Sequence, residues 1–164
     1  MSVKRKRGKR WVLFVLLIMW MGTIFYFSAK PAVQSAEMSA SVGKMVGKLL
    51  VPGFDELEEE EQDSFAAGID FVVRKSAHAC EYAVLGILLF WNYEQKIRKR
   101  GQLAAISWIS VAAYAATDEI HQLFVPGRSG QISDVLLDSL GGLAGVGFSV
   151  IIQCLIRKRK KNGS

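Results

Sequence analysis

The sequence has 164 residues, 51% of them apolar, and a formal net charge of +6. A positive charge of this size occurs in nucleic-acid-binding proteins, but here it is concentrated beside long apolar runs. Fifteen of the 21 Lys and Arg residues lie in three short clusters, at residues 4–10, 96–100 and 157–161. Basic clusters next to apolar runs orient helices in a membrane. The pattern therefore indicates a membrane protein with a single domain, residues 1–164, and argues against nucleic acid as a partner.

The first predicted transmembrane helix covers residues 11–28, of which 11–27 carry no charge. The basic segment before it holds the N-terminus in the cytoplasm, so this helix runs outward. A cleaved signal peptide is the alternative interpretation. The apolar run exceeds the usual length of about 7–15 residues in a signal peptide, and Phe27-Ser28-Ala29 is a poor cleavage site. We therefore favour an uncleaved helix.

Residues 30–68 are predicted to form an outer loop, and the segment 30–70 contains nine acidic residues. Apolar residues within it recur at near-helical spacing before Pro52-Gly53, which predicts a short amphipathic helix. This helix either lies on the outer membrane surface or packs on the bundle as an ordinary surface helix. Its apolar residues are Val33, Ala36, Val42, Met45, Val46, Leu49 and Leu50.

Three further transmembrane helices are predicted, over residues 69–93, 102–125 and 132–156. The basic segment 96–100 is then a cytoplasmic loop, and Pro126-Gly127 makes a tight outer turn. The predicted fold is thus all-α: a polytopic membrane protein with a bundle of four transmembrane helices and both termini in the cytoplasm. Cys80 and Cys154 lie too far apart along their helices for a disulfide and are interpreted as packing residues.

Ionisable side chains are costly in the hydrocarbon core, at about 2.5–3.5 kcal/mol each on insertion scales, and they usually face the protein interior. Counted from the cytoplasmic basic clusters, His78, His121 and Asp138 lie at similar depths, about 27, 32 and 29 Å. Three helices therefore bring ionisable groups to one level near the outer membrane face. The candidate pocket residues are Arg74, Lys75, His78, Glu81, Asp118, Glu119, His121, Gln122, Arg128, Asp134 and Asp138.

The spacing within each helix also favours one shared site. Arg74, His78 and Glu81 are at positions i, i+4 and i+7, and Asp134 and Asp138 are at i and i+4, so each set shares a helix face. The face with the two aspartates continues through Gly141 and Gly145, whose spacing allows another helix to approach closely, and Gly142 is also assigned to helix packing. Whether the chain also forms homo-oligomers is left open.

Several interpretations of the cluster remain. It could be a buried salt-bridge network that only fixes the bundle, or a polar pocket that opens outward. As a pocket it could bind an anionic head group, act as an acid–base set or relay protons. A divalent metal is also conceivable, but the neighbouring basic residues oppose a cation, so we expect no metal and no cofactor.

Three segments of the sequence closely resemble the VanZ-like family. They are residues 74–82 (RKSAHACEY), 117–128 (TDEIHQLFVPGR) and 134–142 (DVLLDSLGG), and the likeness extends over roughly residues 11–156. The resemblance implies a multi-pass protein of the bacterial plasma membrane. It also implies a link to resistance against teicoplanin-type glycopeptide antibiotics, which act outside the cell on wall precursors.

Two function classes follow. The first is a binding protein of the cell envelope whose outer pocket meets membrane lipids, a lipid-linked wall precursor or the glycopeptide antibiotic. The second is an intramembrane hydrolase or transferase that acts on a lipid-linked phosphate. The sequence does not decide whether the chain is an enzyme, and it assigns no catalytic residue.

Overall fold

A computed structural model describes residues 3–162, and within them the fold consists of helices only. No strand occurs in this part of the chain, so the predicted all-α class is confirmed. A short 3₁₀ helix, Phe54–Glu56, precedes the third α-helix. The five α-helices are α1 (Val3–Ser28), α2 (Ala32–Leu50), α3 (Glu59–Tyr93), α4 (Arg100–Gln122) and α5 (Ile132–Asn162).

Two of these helices are long and apolar enough to cross a membrane. Mean hydropathy is 2.0 over Arg10–Ser28 in α1 and 1.9 in α5. Only 17% of the α1 window and 33% of the α5 window are buried, whereas the core helix of a soluble protein would be mostly buried. The two helices therefore indicate membrane association. Helices α3 and α4 are long enough, but within residues 3–162 neither contains a window as apolar and as poor in charge, so the four-span bundle stays a prediction.

The segment predicted as an outer loop, residues 30–68, is mostly helical. The predicted short helix is present as α2, and α3 begins at Glu59, ten residues before its predicted start at residue 69. A capping box formed by Glu58 and Glu61 holds the first turn of α3. Acidic residues at this position also stabilise the positive end of the helix dipole. The acidic run is therefore a helix start, and the connection between α2 and α3 is confined to residues 51–58, which include the short 3₁₀ helix.

Helix α2 packs on α3 through a face of small residues. Ser39, Gly43 and Gly47 are its buried residues, and Ser39 donates a hydrogen bond to Asp70. A Cβ on Gly43 would lie 3.0 Å from the Cβ of Ala66, so the two helices are in close contact. The apolar residues of α2 stay exposed on the opposite side; they include Val33, Met38, Val42, Met45, Leu49 and Leu50.

The three basic clusters of the sequence lie at one end of the bundle. Glu94, just after α3, accepts a hydrogen bond of 3.3 Å from Gln153 and lies 3.9 Å from Arg157, both on α5. Asn92 donates a 3.0 Å hydrogen bond to the carbonyl oxygen of Leu13, in the N-terminal half of α1. The connection between α4 and α5, residues 123–131, is consequently at the opposite end.

Helices α3 and α5 approach most closely along a seam of small residues. A Cβ added to Gly141 or Gly145, two of the predicted packing glycines, would lie under 3.0 Å from backbone atoms of Ala79 or Ala83. Gly142, the third, packs in the same way against a side chain of α4, that of Val111. These glycines therefore pack against other helices of the same chain.

The other helix bounds differ from the predicted spans at the ends. Helix α1 begins at Val3 and α5 continues to Asn162, beyond the predicted residues 11 and 156. Lys and Arg are good helix formers, so both helices continue through the basic segments. Helix α4 instead ends early, at Gln122 rather than at residue 125, because the turn before Pro126 begins there.

Candidate functional site

A cavity of about 200 Å³ opens at the end of the bundle opposite the basic clusters. It lies where α3, α5 and the last residue of α4 meet the start of α2 and the connection between α4 and α5. Its lining is mainly polar. The lining residues are Ala32, Ser35, Phe71, Arg74, Lys75, His78, Gln122, Gly127, Arg128, Ser129, Gln131 and Asp134.

Three cationic side chains line this cavity against one carboxylate. Lys75 forms an ion pair with Asp134, which ties α3 to α5. Arg74 pairs with Asp70 one helical turn before it, at 2.7 Å. Arg128 makes no salt bridge among residues 3–162. The cavity wall therefore carries a net positive charge.

The Arg128 guanidinium is fixed by the backbone rather than by an acid. Its Nε donates a 3.2 Å hydrogen bond to the carbonyl oxygen of Lys30. Burial, together with the nearby positive charge of Arg74, lowers the pKa of Arg128 below its ordinary value. An arginine nevertheless stays charged at physiological pH. The Arg128 guanidinium is therefore a positioned and partly desolvated cation, and an anionic ligand would stabilise its charge.

The turn at Pro126 and Gly127 covers the cavity. Gly127 has a positive φ of 74°, which favours glycine, and the amide of Ala32 donates a 3.2 Å hydrogen bond to the carbonyl oxygen of Pro126. A Cβ on Gly127 would lie 3.0 Å from the Cβ of Ala32. The start of α2 and the turn are therefore in contact, and together they place Arg128 beside the cavity.

A second layer of ionisable groups lies behind the cavity wall. Asp138 on α5 is fully buried, and its Oδ2 lies 3.6 Å from Nδ1 of His78 on α3. Neither oxygen of Asp138 accepts a hydrogen bond from the described residues. A buried carboxylate without such bonds is costly and is not expected of a purely structural group.

Two acidic residues of α4 have different surroundings. Asp118 accepts a 3.2 Å hydrogen bond from the hydroxyl of Tyr82, while its other oxygen is buried and unpaired within residues 3–162. Glu119 accepts a 2.8 Å hydrogen bond from the backbone amide of Gln131. Glu119 therefore holds the connection that leads into α5, and Asp118 contributes to the buried layer.

His121 and Glu81 are not among the residues that line the cavity. The His121 ring stacks on Phe25 of α1, with the ring centroids 4.3 Å apart. Glu81 is half-buried, and its backbone carbonyl accepts a 2.9 Å hydrogen bond from the indole of Trp20. The His121 ring thus contributes to the contact with α1, whereas the Glu81 carboxylate lies close to the buried ionisable layer around Asp138.

The predicted pocket residues therefore divide into three groups. Those that line the cavity are Arg74, Lys75, His78, Gln122, Arg128 and Asp134. Asp138 and Asp118 are buried behind the lining, with contacts to His78 and Tyr82. The remaining residues are Glu119, which holds the turn, His121, which stacks on α1, and Glu81, whose carboxylate lies close to the buried layer without lining the cavity.

Sequence reasoning missed several residues of the site. From the sequence, Asp70 is counted only among the acidic residues of the outer segment, although its spacing of i, i+4 to Arg74 is typical of a helical ion pair. Tyr82 follows His78 by four residues and lies on the same face of α3. No signal within the sequence indicated Gln131 or Phe71 as lining residues.

Among residues 3–162, no group of three or more His, Cys, Asp or Glu side chains is arranged to hold a metal ion. The chemistry that the cavity offers is instead that of anion recognition. Guanidinium and ammonium groups bind phosphate and carboxylate oxygens through charge-assisted hydrogen bonds. Gln122 adds a buried amide nitrogen without a partner in the described part of the chain.

Fold and site together define a helical, membrane-associated protein with a cation-lined cavity at one end. The model of the VanZ/LLP1 family matches residues 13–153, and the chain belongs to this family. The resemblance recognised in the sequence is thereby confirmed. No curated protein and no solved structure matches the chain.

Proposed function

We propose that this protein is a multi-pass protein of the bacterial plasma membrane whose outward-facing cavity binds the phosphate of a lipid or lipid-linked wall-precursor head group. The observation that carries the proposal is the excess of cationic side chains in the cavity, with Arg128 as a cation without a salt bridge in the described residues.

The size of the cavity favours a head group over a whole antibiotic. Sites for drug-sized ligands measure about 300–1,000 Å³. The cavity here holds about 200 Å³, which suits a phosphate with its nearest substituent. A glycopeptide antibiotic would meet the cavity with only one of its groups, so it is the less favoured ligand.

Four membrane-spanning segments with cytoplasmic termini are the second part of the proposal. All three basic clusters lie at the bundle end marked by Glu94, and the cavity lies at the other end. Basic segments stay on the cytoplasmic side, so the cavity would open outward. Reporter fusions at Glu60 and Gly130 should therefore report an outside location, and a fusion at Lys99 an inside location. An inside signal at Gly130 would contradict this orientation.

Arg128→Gln should weaken phosphate binding while preserving the fold. The full chain in detergent micelles is titrated calorimetrically with farnesyl phosphate and, separately, with inorganic phosphate. Loss of one charge-assisted hydrogen bond of about 1.5–3 kcal/mol should raise the Kd roughly 10- to 100-fold. Binding of farnesyl phosphate alone would identify a lipid-linked ligand, and equal binding of both would identify the phosphate as sufficient.

The matched control is Arg98→Gln, which removes an exposed arginine at the basic end of the bundle. This variant should bind farnesyl phosphate as the wild type does. Equal affinity of the wild type and Arg128→Gln, or no binding by the wild type, would contradict the proposed function.

Contribution to teicoplanin resistance is the cellular part of the proposal and is supported by family membership. Cells that depend on this protein for resistance should become susceptible when they carry Arg128→Gln and stay resistant with Arg98→Gln. Equal susceptibility of the two strains, at equal protein levels, would show that resistance does not depend on the cavity.

A further inference from the structure

His78 stands between the cavity and a fully buried carboxylate. It lines the cavity, while its Nδ1 is buried and lies 3.6 Å from Oδ2 of Asp138. This distance is that of an ion pair rather than a formed hydrogen bond. Such contacts are often long in ligand-free catalytic sites and shorten when the ligand binds. The ring therefore presents its other edge, with Nε2, to the cavity.

A carboxylate behind an imidazole selects which nitrogen of the ring carries the proton. With Asp138 beside Nδ1, the proton resides on Nδ1 and the lone pair of Nε2 faces the cavity. The imidazole is then oriented as a general base, and the carboxylate stabilises the imidazolium that forms. Asp138 has no hydrogen bond to another described residue that would give it a different role.

The base and the phosphate-binding groups share one helix face. Arg74 and Lys75 precede His78 by four and three residues, so their side chains lie on the same side of α3. Arg128 reaches the same cavity from the turn. A phosphate held by these cations would lie in the same cavity that His78 lines.

We infer that this cavity is catalytic and hydrolyses a phosphoanhydride, with His78 as the general base and Asp138 as its positioning residue. The inference rests on the proposed function, because the same cations bind the substrate. Nε2 of His78 takes a proton from a water molecule while the water oxygen forms a bond to the terminal phosphorus. The bond between that phosphorus and the bridging oxygen breaks, and the bridging oxygen keeps the electron pair.

The products are inorganic phosphate and a lipid monophosphate, and the imidazolium then releases its proton to solvent. A phosphate leaving group is stable as an anion beside Arg74 and Arg128, so it needs no proton donor. An ester would expel an alkoxide, which does need one. Apart from His78, the ionisable lining residues are the three cations and Asp134, which is paired with Lys75. The lining therefore favours a lipid diphosphate over a phosphate monoester.

The test is phosphate release from farnesyl diphosphate by the detergent-purified full chain, with inorganic pyrophosphate as the probe without a lipid. We expect release from farnesyl diphosphate. His78→Gln should lower kcat about 10²- to 10⁴-fold, the usual contribution of a general base. The same preparation should bind farnesyl phosphate with wild-type affinity, which shows that the variant is folded. Added imidazole should partly restore the activity of His78→Ala.

His121→Gln is the matched control, since its ring lies on Phe25 and outside the cavity lining, and it should retain the wild-type kcat. Asp138→Asn should lower kcat without changing KM, and it should add little to His78→Ala because the two residues act as one unit. Full activity of His78→Gln would overturn the inference. So would a wild type that binds farnesyl phosphate but releases no phosphate from farnesyl diphosphate, although the proposed function would then stand. A wild type that binds no farnesyl phosphate overturns both.

Discussion

The contact between α3 and α5 has two halves, one formed by glycines and the other by charged side chains. Toward the basic end, Gly86, Gly142 and Gly145 bring the helix backbones into direct contact. Toward the cavity, the same two helices meet through the pairs Lys75–Asp134 and His78–Asp138. One half is held by close packing of the helix backbones, and the other half contains the charged side chains.

The two halves have different roles in the interface: the glycine half holds the helices together, and the charged half positions the buried ionisable groups. Close packing of small residues is a main source of helix association where lipid removes the hydrophobic driving force. It also fixes the distance between the helices. The charged half can then place buried groups such as Asp138 without relying on them for stability. The expected effects of substitutions should follow this division, with the largest losses of stability in the glycine half.

Gly145→Val should have the largest effect on stability. Its Cβ would lie under 3.0 Å from backbone atoms of Ala83, which cannot move without separating the helices. Overpacking of this kind costs about 3 kcal/mol or more. The measurement is the free energy of unfolding in mixed micelles.

The control for this substitution lies two residues away on the same helix. A Cβ on Gly147 would meet nothing within 4 Å, so Gly147→Ala should change the free energy of unfolding by less than about 1 kcal/mol. Equal losses for the two variants would show that the seam does not hold α3 to α5.

The ion pair between Lys75 and Asp134 should contribute less than the glycine seam. A double-mutant cycle with Lys75→Gln and Asp134→Asn should give a coupling energy of about 1–3 kcal/mol, since the side chains are only 26% and 17% exposed. The pair Lys48–Asp55 is a control with side chains 53% and 70% exposed, and its coupling should lie within experimental error. Equal couplings would contradict the view that burial strengthens the cavity pair.

The sequence predicts the position of a side chain along the bundle axis better than the direction in which that side chain points around its helix. Counting residues from the basic clusters placed His78 and His121 at the same level, and both lie toward the same end. His78 faces the cavity, whereas His121 faces Phe25 of α1. The direction of a side chain depends on how the helices are rotated against each other, and that is decided by packing rather than by hydropathy.

The first ten residues of α3 illustrate a second limit of sequence reasoning. The apolar run predicts a helix from residue 69, but the helix begins at Glu59. This segment is stabilised by its contact with α2, including the ion pair of 2.7 Å between Lys44 and Asp63. A helical segment that is stabilised by polar contacts with a neighbouring helix has no apolar run in its sequence from which it could be predicted. The motif glycines of α5, by contrast, were recognised because their spacing alone defines a packing face.

Asp138→Asn should have the smallest effect on stability and is the most direct test of whether the charged half is functional. The amide nearly preserves the volume of a carboxylate that accepts no hydrogen bond from the described residues. Its free energy of unfolding in mixed micelles should therefore stay within about 1 kcal/mol of the wild type. A loss of about 3–5 kcal/mol, the cost of breaking a buried ion pair, would contradict the division of the interface and identify His78 and Asp138 as a structural pair.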